Sequence, residues 1–288
     1  MIWEGDPPAL RSPVLVCAFA GWNDAASAAT TALEAVAAAL ESEVVARLDP
    51  EDFYDFQVNR PTIRLVEGRT RHVDWPSNTL VSAIATGAER DLVLLSGVEP
   101  NLRWRTYSTA IVNAAERLGV EMFVSLGALI ADVAHTRPVP ITGLATDQEL
   151  VDRLNLSRSN YEGPTGIVGV LHDQCRERGI SSASLWAAIP HYVAAVPNPK
   201  AALALLRRLE GMTGIAIEAS ELEDAMERFE EQIDRAVSAN PEIDELVRRL
   251  ESEADEEDEL EVPPNMPSGD TLARDFQRFL RQRSDDES

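Results

Sequence analysis

The residues best suited to bind a ligand follow the first apolar run of the chain, Val14–Ala20. Gly21 comes directly after this run, and Asn23 and Asp24 begin an alanine-rich segment that predicts a helix. Glycine allows close backbone approach, and the first N–H groups of a helix attract anions. A phosphate or carboxylate site is one interpretation, to which Arg103 would add a guanidinium group. We favour a plain turn with a helix cap, because Asp24 is negative and a lone glycine is a weak signal.

Similar residues follow the other predicted strands. Gly97 and Glu99 come after Asp91–Ser96, and Gly127 comes after Glu121–Leu126. Because the carboxyl ends of parallel strands meet at one edge of an open sheet, these junctions are expected to gather there. The sequence therefore predicts one candidate ligand crevice, formed by Gly21, Asn23, Asp24, Gly97, Glu99, Arg103, Gly127, Thr165 and His191.

The histidines give little support for catalysis. His135 and His191 could act as general acids or bases near neutral pH, or could simply hydrogen-bond the backbone. His72 and His172 are predicted at the surface. No nucleophile with a paired base can be named, and no G-x-S-x-G sequence occurs. These observations favour a binding protein over an enzyme, and no catalytic residue is predicted.

One acidic cluster could be considered as a metal site. Glu51, Asp52 and Asp55 are close together, but their spacing is not that of a calcium loop. No helix face carries a pair of histidines at metal-binding spacing. A solvated acidic loop accounts for these carboxylates, so no metal ligand and no cofactor is predicted.

Charge and composition exclude several classes of partner. The formal net charge is −23 for 288 residues, which disfavours binding to nucleic-acid phosphates. No apolar run reaches about 18 residues, so no membrane span is predicted. The first residues lack the features of a signal peptide, and the only cysteines, Cys17 and Cys175, fit a reducing compartment. A cytoplasmic protein is expected.

Strands and helices alternate through residues 1–210, which predicts a mainly parallel sheet covered by helices on both faces. A hairpin is predicted over residues 61–76, with its turn at Glu67 and Gly68. Pro138–Ala145 is marked by prolines and predicts a strand near a sheet edge.

The chain changes character beyond Ser220. Residues 220–288 carry 23 of the 49 acidic side chains and 8 of the 26 basic ones. Amphipathic helices are predicted over 221–239 and 242–254, and a last helix over about 271–283. We therefore predict a core domain over 1–215 and an acidic helical extension over 216–288, partly mobile around 251–270.

Four ordered segments, each at a strand-to-helix junction, give the chain a family resemblance. They are FAGWNDA at 19–25, SGVEPNLRW at 96–104, LGALIADVAHTRP at 126–138 with TGLAT at 142–146, and YEGPTGI at 161–167 with SLWAAIPHY at 184–192. Together they resemble the proteasome assembly chaperone family, in its bacterial branch. The resemblance covers roughly residues 14–210 and implies an α/β fold, a three-layer α/β/α sandwich with a mainly parallel central sheet, similar to nucleoside phosphorylases and hydrolases.

The resemblance also implies a function. The best-understood relatives escort proteasome α-subunits into rings and bind core-particle intermediates, and they act as oligomers, usually without known catalysis. Some end in a hydrophobic–Tyr–any tripeptide, which the terminal Ser284–Ser288 lacks. A homo-oligomer with proteasome subunits as partners is therefore expected from the resemblance.

Three hypotheses follow. The first is a non-enzymatic scaffold that assists proteasome subunit assembly. The alternative is a small-molecule enzyme or sensor of the phosphorylase-like fold that binds an anionic ligand at the strand ends. The third is a structural oligomer whose tail helices mediate self-association.

Overall fold

The computed structural model describes residues 1–66, 68–145, 147–158 and 162–259. Its strands are β1 Ile2–Trp3, β2 Val14–Ala20, β3 Glu41–Arg47, β4 Thr62–Val66, β5 Thr70–Asp74, β6 Asn78–Ile84, β7 Leu92–Val98, β8 Met122–Ala131, β9 Ile141–Ala145, β10 Ser157–Arg158 and β11 Ser181–Pro190. Its α-helices are α1 Ala28–Ala39, α2 Trp104–Arg117, α3 Gln148–Leu154, α4 Ile167–Glu177, α5 Pro199–Thr213, α6 Ser220–Ser238 and α7 Pro241–Glu259.

Within these ranges, nine strands form one sheet in the order β1-β3-β6-β7-β2-β8-β11-β9-β10. The central strands β7, β2, β8 and β11 are parallel to one another. The flanking pairs β1–β3, β3–β6, β6–β7 and β9–β11 are antiparallel. The sheet is therefore mixed, and the prediction of a mainly parallel sheet was wrong outside the centre. The connection from β6 to β7 spans only residues 85–91, which is too short for the crossover that a parallel pair needs.

Helices flank both faces of the sheet, as the alternation of elements predicted. Strand β2 illustrates why: Val14, Val16 and Ala18 pack in a cluster with residues of α1 and α5. The intervening Leu15, Cys17 and Phe19 pack with residues of α2 and α4 in a second cluster. Alternate side chains of a strand point to opposite faces, so a strand covered on both sides must be apolar throughout.

Two strands extend further than the sequence indicated. The predicted ends at Ser96 and Leu126 become Val98 in β7 and Ala131 in β8. Gly97 and Gly127 therefore lie inside strands, and the expectation that they end them was wrong. Both are sites of close packing: a Cβ on Gly97 would lie 2.0 Å from the backbone oxygen of Ser77, and one on Gly127 would lie 2.4 Å from the ring of Trp186.

The peripheral elements agree with the sequence patterns. Strands β4 and β5 form the predicted hairpin as a separate two-stranded sheet. Strand β9 lies next to the short edge strand β10, as the prolines around it suggested. None of the described helices is long and apolar enough to cross a membrane.

The acidic helices pack on the rest of the chain. Helix α6 lies against α5, and its Leu222 joins the main core cluster. Helix α7 continues to Glu259, so part of the charged run that begins at Glu251 is helical. The predicted last helix and the linker before it lie outside the described residues. The division of the chain at residue 215 stays a prediction.

Candidate functional site

The loops after β2 and β7 meet the start of helix α4 at the carboxyl edge of the central strands. The two strands are parallel neighbours, so their final residues lie side by side. The backbone N–H of Glu99 donates to the carbonyl oxygen of Ala20 at 3.0 Å. The carboxylate Oε1 of Glu99 in turn accepts the N–H of Ile167, the first residue of α4, at 2.8 Å.

Two glycines allow this close approach. Gly21 has φ +136°, a backbone conformation that other residues rarely adopt, and it lies against the side chain of Glu99. A Cβ on Gly166 would lie 2.7 Å from Glu99 Oε1 and 2.9 Å from Asn23 Nδ2. Any side chain at residue 166 would therefore push these two groups away from the start of α4.

Asn23 is the unusual member of this crevice. Its side chain is buried, with only 2% of the residue exposed. Its carbonyl oxygen accepts the N–H of Ala128 at 2.8 Å, which fixes the backbone to β8. The amide Nδ2 is buried yet has no hydrogen-bond partner in the described part of the chain. A buried donor without a hydrogen-bond partner lowers the free energy of unfolding by about 1–3 kcal/mol. A hydrogen-bond acceptor placed beside Asn23 Nδ2 would therefore be favourable.

The two carboxylates near the crevice have different roles. Burial raises the pKa of Glu99, and the hydrogen bond from Ile167 partly offsets that rise. Burial also raises the pKa of Asp24, against hydrogen bonds from Thr30 and Ala29 that lower it. Asp24 Oδ1 accepts the N–H of Ala29 at 2.7 Å, so this side chain caps the first turn of α1.

The remaining candidate residues have other contacts. Arg103 pairs with Asp52 at 2.6 Å on the exposed surface. His191 pairs with Asp132 at 3.2 Å, beyond the ends of β11 and β8. Thr165 precedes Gly166 and packs over the first turn of α4, where its Oγ1 would lie 2.0 Å from a Cβ on Gly169.

Gly97 belongs to a neighbouring polar network. It packs against Asn78, whose Oδ1 accepts hydrogen bonds from the hydroxyls of Tyr54 and Tyr107. Burial raises the pKa of both tyrosines, so they stay protonated donors at neutral pH.

The structure brings together Gly21, Asn23 and Glu99 of the predicted crevice. It adds Gly166, which was not among the predicted residues.

A serine–histidine pair was also missed from the sequence. Ser125 Oγ lies 2.9 Å from His172 Nε2, and the His172 ring meets Phe123 edge-on. His172 is only partly exposed, so the surface prediction was wrong in part: the residue lies on the α4 face that carries the buried Val168 and Leu171. Burial lowers the pKa of His172 to about 4, which leaves the ring neutral at pH 7.

This pair is better explained by packing than by catalysis. Ser125 is 1% exposed within β8, where a substrate cannot reach its hydroxyl. A buried hydroxyl needs a hydrogen-bond partner, and the imidazole supplies one from the helix above. The helical spacing of the apolar residues 168, 171 and 175 was the sequence signal that could have placed His172 on the inward side of α4.

His135 connects the core to the acidic helices. It is 5% exposed, its Nδ1 lies 2.8 Å from the Tyr192 hydroxyl, and its Nε2 lies 3.0 Å from Asp234 Oδ1 of α6. Lys200 donates to the His135 carbonyl oxygen at 2.6 Å and pairs with Glu230 at 2.7 Å. A neighbouring cavity of about 10 Å³ has room for about one water molecule. The arrangement positions α6 rather than a substrate.

The cysteines are unsuited to nucleophilic chemistry. Cys17 and Cys175 are buried free thiols in the core cluster. Burial raises the pKa of Cys175 to about 12 and raises that of Cys17 well above its usual value. A thiol that stays protonated is unreactive at neutral pH. The residues that the structure describes contain no group of three His, Cys, Asp or Glu side chains able to hold a metal ion.

The sequence matches the PAC2 family over residues 18–237, which is most of the chain. The chain belongs to the PAC2 family. A PAC2 family protein from Streptomyces avermitilis has a similar crystal structure, with 46% identity and a TM-score of 0.76 over 82% of this chain and 99% of that one. A proteasome-assembly chaperone homologue from Mycobacterium tuberculosis shows 43% identity and a TM-score of 0.74 over 81% and 99% of the two chains.

A more distant structure shares the fold alone. An archaeal proteasome activator from Pyrococcus furiosus is 16% identical, with a TM-score of 0.64 over 82% of this chain and 97% of that one. Comparison with curated proteins found no match.

Proposed function

We propose that this PAC2-family chain is a non-enzymatic binding scaffold that assists the assembly of proteasome subunits. One observation carries the proposal: 43% identity to a proteasome-assembly chaperone homologue, over 99% of that protein's chain. Similarity of this extent makes a shared kind of partner the simplest expectation.

Three polar side chains near the candidate crevice and in the core support a scaffold because each has a structural use. Glu99 caps α4, Asp24 caps α1, and His172 satisfies a buried hydroxyl. An enzyme needs titratable groups that converge on an accessible reacting atom. The contacts of these three residues instead hold helices against the sheet.

The acidic helices α6 and α7 supply a surface suited to a protein partner. Residues 220–259 carry 17 acidic and 4 basic side chains. Glu230 and Asp234 are partly exposed and contact Lys200 and His135. The carboxylates of Glu221, Asp224 and Glu227 are exposed on α6. A fixed acidic surface attracts a basic partner and orients it during encounter.

Affinity purification of the full chain from its native cells tests this function. We expect proteasome α- or β-subunits to co-elute, and their recovery to fall at high ionic strength. The variant E221Q/D224N/E227Q should recover less subunit. Its matched control, E41Q/E43Q/E89Q, removes the same charge from exposed positions elsewhere and should recover as much as the unaltered chain. Absence of proteasome subunits from every eluate would contradict the proposal.

A second candidate function is supported by the unpaired amide of Asn23. The site would bind a small ligand that accepts a hydrogen bond from Asn23 Nδ2 beside the Glu99 carboxylate. Glu99 already takes the Ile167 N–H that an anion would receive, so a neutral hydrogen-bonding group fits better than an anion. Thermal stabilisation by nucleosides, lost in Asn23→Ala, would favour this function; phosphate tests the anionic alternative.

A further inference from the structure

The first half of helix α7 is attached to the protein through apolar contacts. Val247 is buried in a small cluster with Phe229, Ile233 and Val237 of α6, and Ile243 packs against that cluster. Ile243 and Val247 are four residues apart, so they share one side of the helix. The apolar part of this attachment therefore involves few side chains of α7, and it lies outside the two main core clusters.

The second half of α7 contacts the core through carboxylates on the same side of the helix. Glu251 Oε1 accepts a hydrogen bond from Thr136 Oγ1 at 2.5 Å, and Asp255 pairs with Arg137 at 2.6 Å. Thr136 and Arg137 belong to the loop that follows β8. The side chains of Arg137 and Asp255 are 43% and 59% exposed. Because exposed ion pairs contribute little to stability, these contacts orient α7 without holding it firmly.

The sequence of this second half disfavours a helix. Residues 251–259 carry seven acidic side chains and no basic one. Carboxylates four residues apart repel one another, and negative charge at the carboxyl end of a helix opposes the helix dipole. No basic residue lies in the last turn of α7, where it would offset both effects. The position of this half therefore depends on its contacts with Thr136 and Arg137.

The surface against which α7 packs contains a polar group that the packing does not satisfy. Arg137 Nε is buried, yet it has no hydrogen-bond partner among the described residues. A cavity of about 10 Å³ is lined by Arg137 together with Lys200 and Phe229. A buried donor without a partner destabilises the packed state, and so does a gap in the packing. Such a contact is suited to being made and broken.

These contacts define the α7 docking surface, an apolar strip that ends in hydrogen-bond donors. The strip is formed by Val193, Phe229, Ile233 and Val237, and the donors are Thr136 and Arg137. Its complement is a helix with apolar residues on one side, followed along that side by carboxylates four residues apart. Helix α7 has this pattern.

We propose that α7 is a displaceable occupant of the α7 docking surface, which takes an acidic amphipathic helix of another protein when α7 leaves. Charge complementarity decides the kind of partner, because the Arg137 guanidinium attracts a carboxylate and repels a basic helix. The inference goes beyond the assembly role, in which the outer acidic face of α6 attracts a basic partner. Here the partner is acidic, and the chain's own α7 competes with it.

Hydrogen exchange of the full chain tests whether these contacts hold α7. Arg137→Glu and Asp255→Arg each bring like charges together, so exchange across residues 241–259 should accelerate about threefold in either variant. The two substitutions combined restore opposite charges and should restore slow exchange. Glu256→Arg makes the same charge change as Asp255→Arg at another exposed position of α7, and it should leave exchange unaltered. Exchange that is unaltered in both single variants, or not restored in the combination, would overturn the proposal.

Binding of a synthetic peptide identifies the occupant. A labelled peptide of residues 241–259 is titrated with full chains and followed by fluorescence anisotropy. The chain Glu251→Arg/Asp255→Arg should bind it at least tenfold more tightly than the unaltered chain, because its own α7 competes less. The matched chain Glu245→Arg/Glu256→Arg has the same net charge and should bind no more tightly than the unaltered chain. Far-ultraviolet circular dichroism and the Tm establish that each chain is folded.

A second peptide tests the part played by the carboxylates. It carries Glu251→Arg/Asp255→Arg itself, and it should not bind the chain with the same two substitutions. Equal binding of the two peptides would show that carboxylates do not select the occupant. That result, equal binding by the two altered chains, or no binding by the first of them would overturn the proposal.

Discussion

At the scale of residues, Gly166 controls the geometry of the crevice. Its lack of a side chain lets Glu99 reach the start of α4 while Asn23 lies beside it. Thr165 was a predicted member of the crevice and Gly166 was not, because nothing local indicates that residue 166 meets residues 23 and 99. Such contacts depend on which strands are neighbours, and spacing along the chain does not contain that information.

Gly166→Ala should destabilise the protein by about 1–2 kcal/mol, because the new Cβ displaces the carboxylate that caps α4. Urea unfolding measures the change. Gly211→Ala is the control: it lies exposed in α5 with no atom within 4 Å of an added Cβ. That substitution should stabilise the protein by about 0.5–1 kcal/mol, because alanine has a higher helix propensity than glycine. Equal effects of the two substitutions would contradict this explanation of Gly166.

The neutral His172 predicts an acid-sensitive contribution to stability. Burial lowers its pKa from 6.5 to about 4, so the unfolded chain binds the extra proton between these values. The contribution of neutral His172 to the free energy of unfolding is complete above pH 6.5. It is lost as the pH falls towards 4, and the total loss is up to roughly 3 kcal/mol. His172→Gln, which keeps a hydrogen-bonding group near Ser125, should flatten the dependence of unfolding free energy on pH in that window. An unchanged slope would exclude His172 as its source.

At the scale of elements, the acidic helices are attached by a small cluster of their own. Val193, Phe229, Ile233, Val237 and Val247 are buried together, apart from the two main clusters. The period of the apolar residues in α6 predicted the side of the helix that faces inward, and Leu222, Phe229 and Ile233 are buried there. The partners of that side could not be predicted, because Asp234 meets His135 across 99 residues of sequence.

Phe229→Ala should loosen α6 and α7 without unfolding the sheet. A buried phenylalanine truncated to alanine typically costs about 3–5 kcal/mol, and here the loss falls on a cluster remote from the main core. Hydrogen exchange should accelerate across residues 220–259 and stay slow in α1. The exposed neighbour change Arg228→Ala serves as the control and should leave exchange unaltered. Uniform acceleration throughout the protein would mean that the helices unfold only with the core.

At the scale of the whole molecule, the sequence predicted the layers better than the strand directions. A run such as Val14–Phe19 is apolar at every position only if both faces of its strand are covered, so flanking helices followed directly. The direction of outer strands depends on connection length and on pairing partners, as the short link between β6 and β7 shows. The mixed sheet is consequently a finding of the structure, whereas family membership was already evident in the ordered junction motifs.

The most direct test of the proposed scaffold is reconstitution with purified components. Unassembled proteasome α- and β-subunits from the same organism are mixed with the full PAC2-family chain, and complexes are followed by native electrophoresis with mass spectrometry. We predict a complex between the chain and at least one subunit type, and faster appearance of the assembled core particle than in its absence. No complex, together with an unchanged rate of assembly, would contradict the central claim.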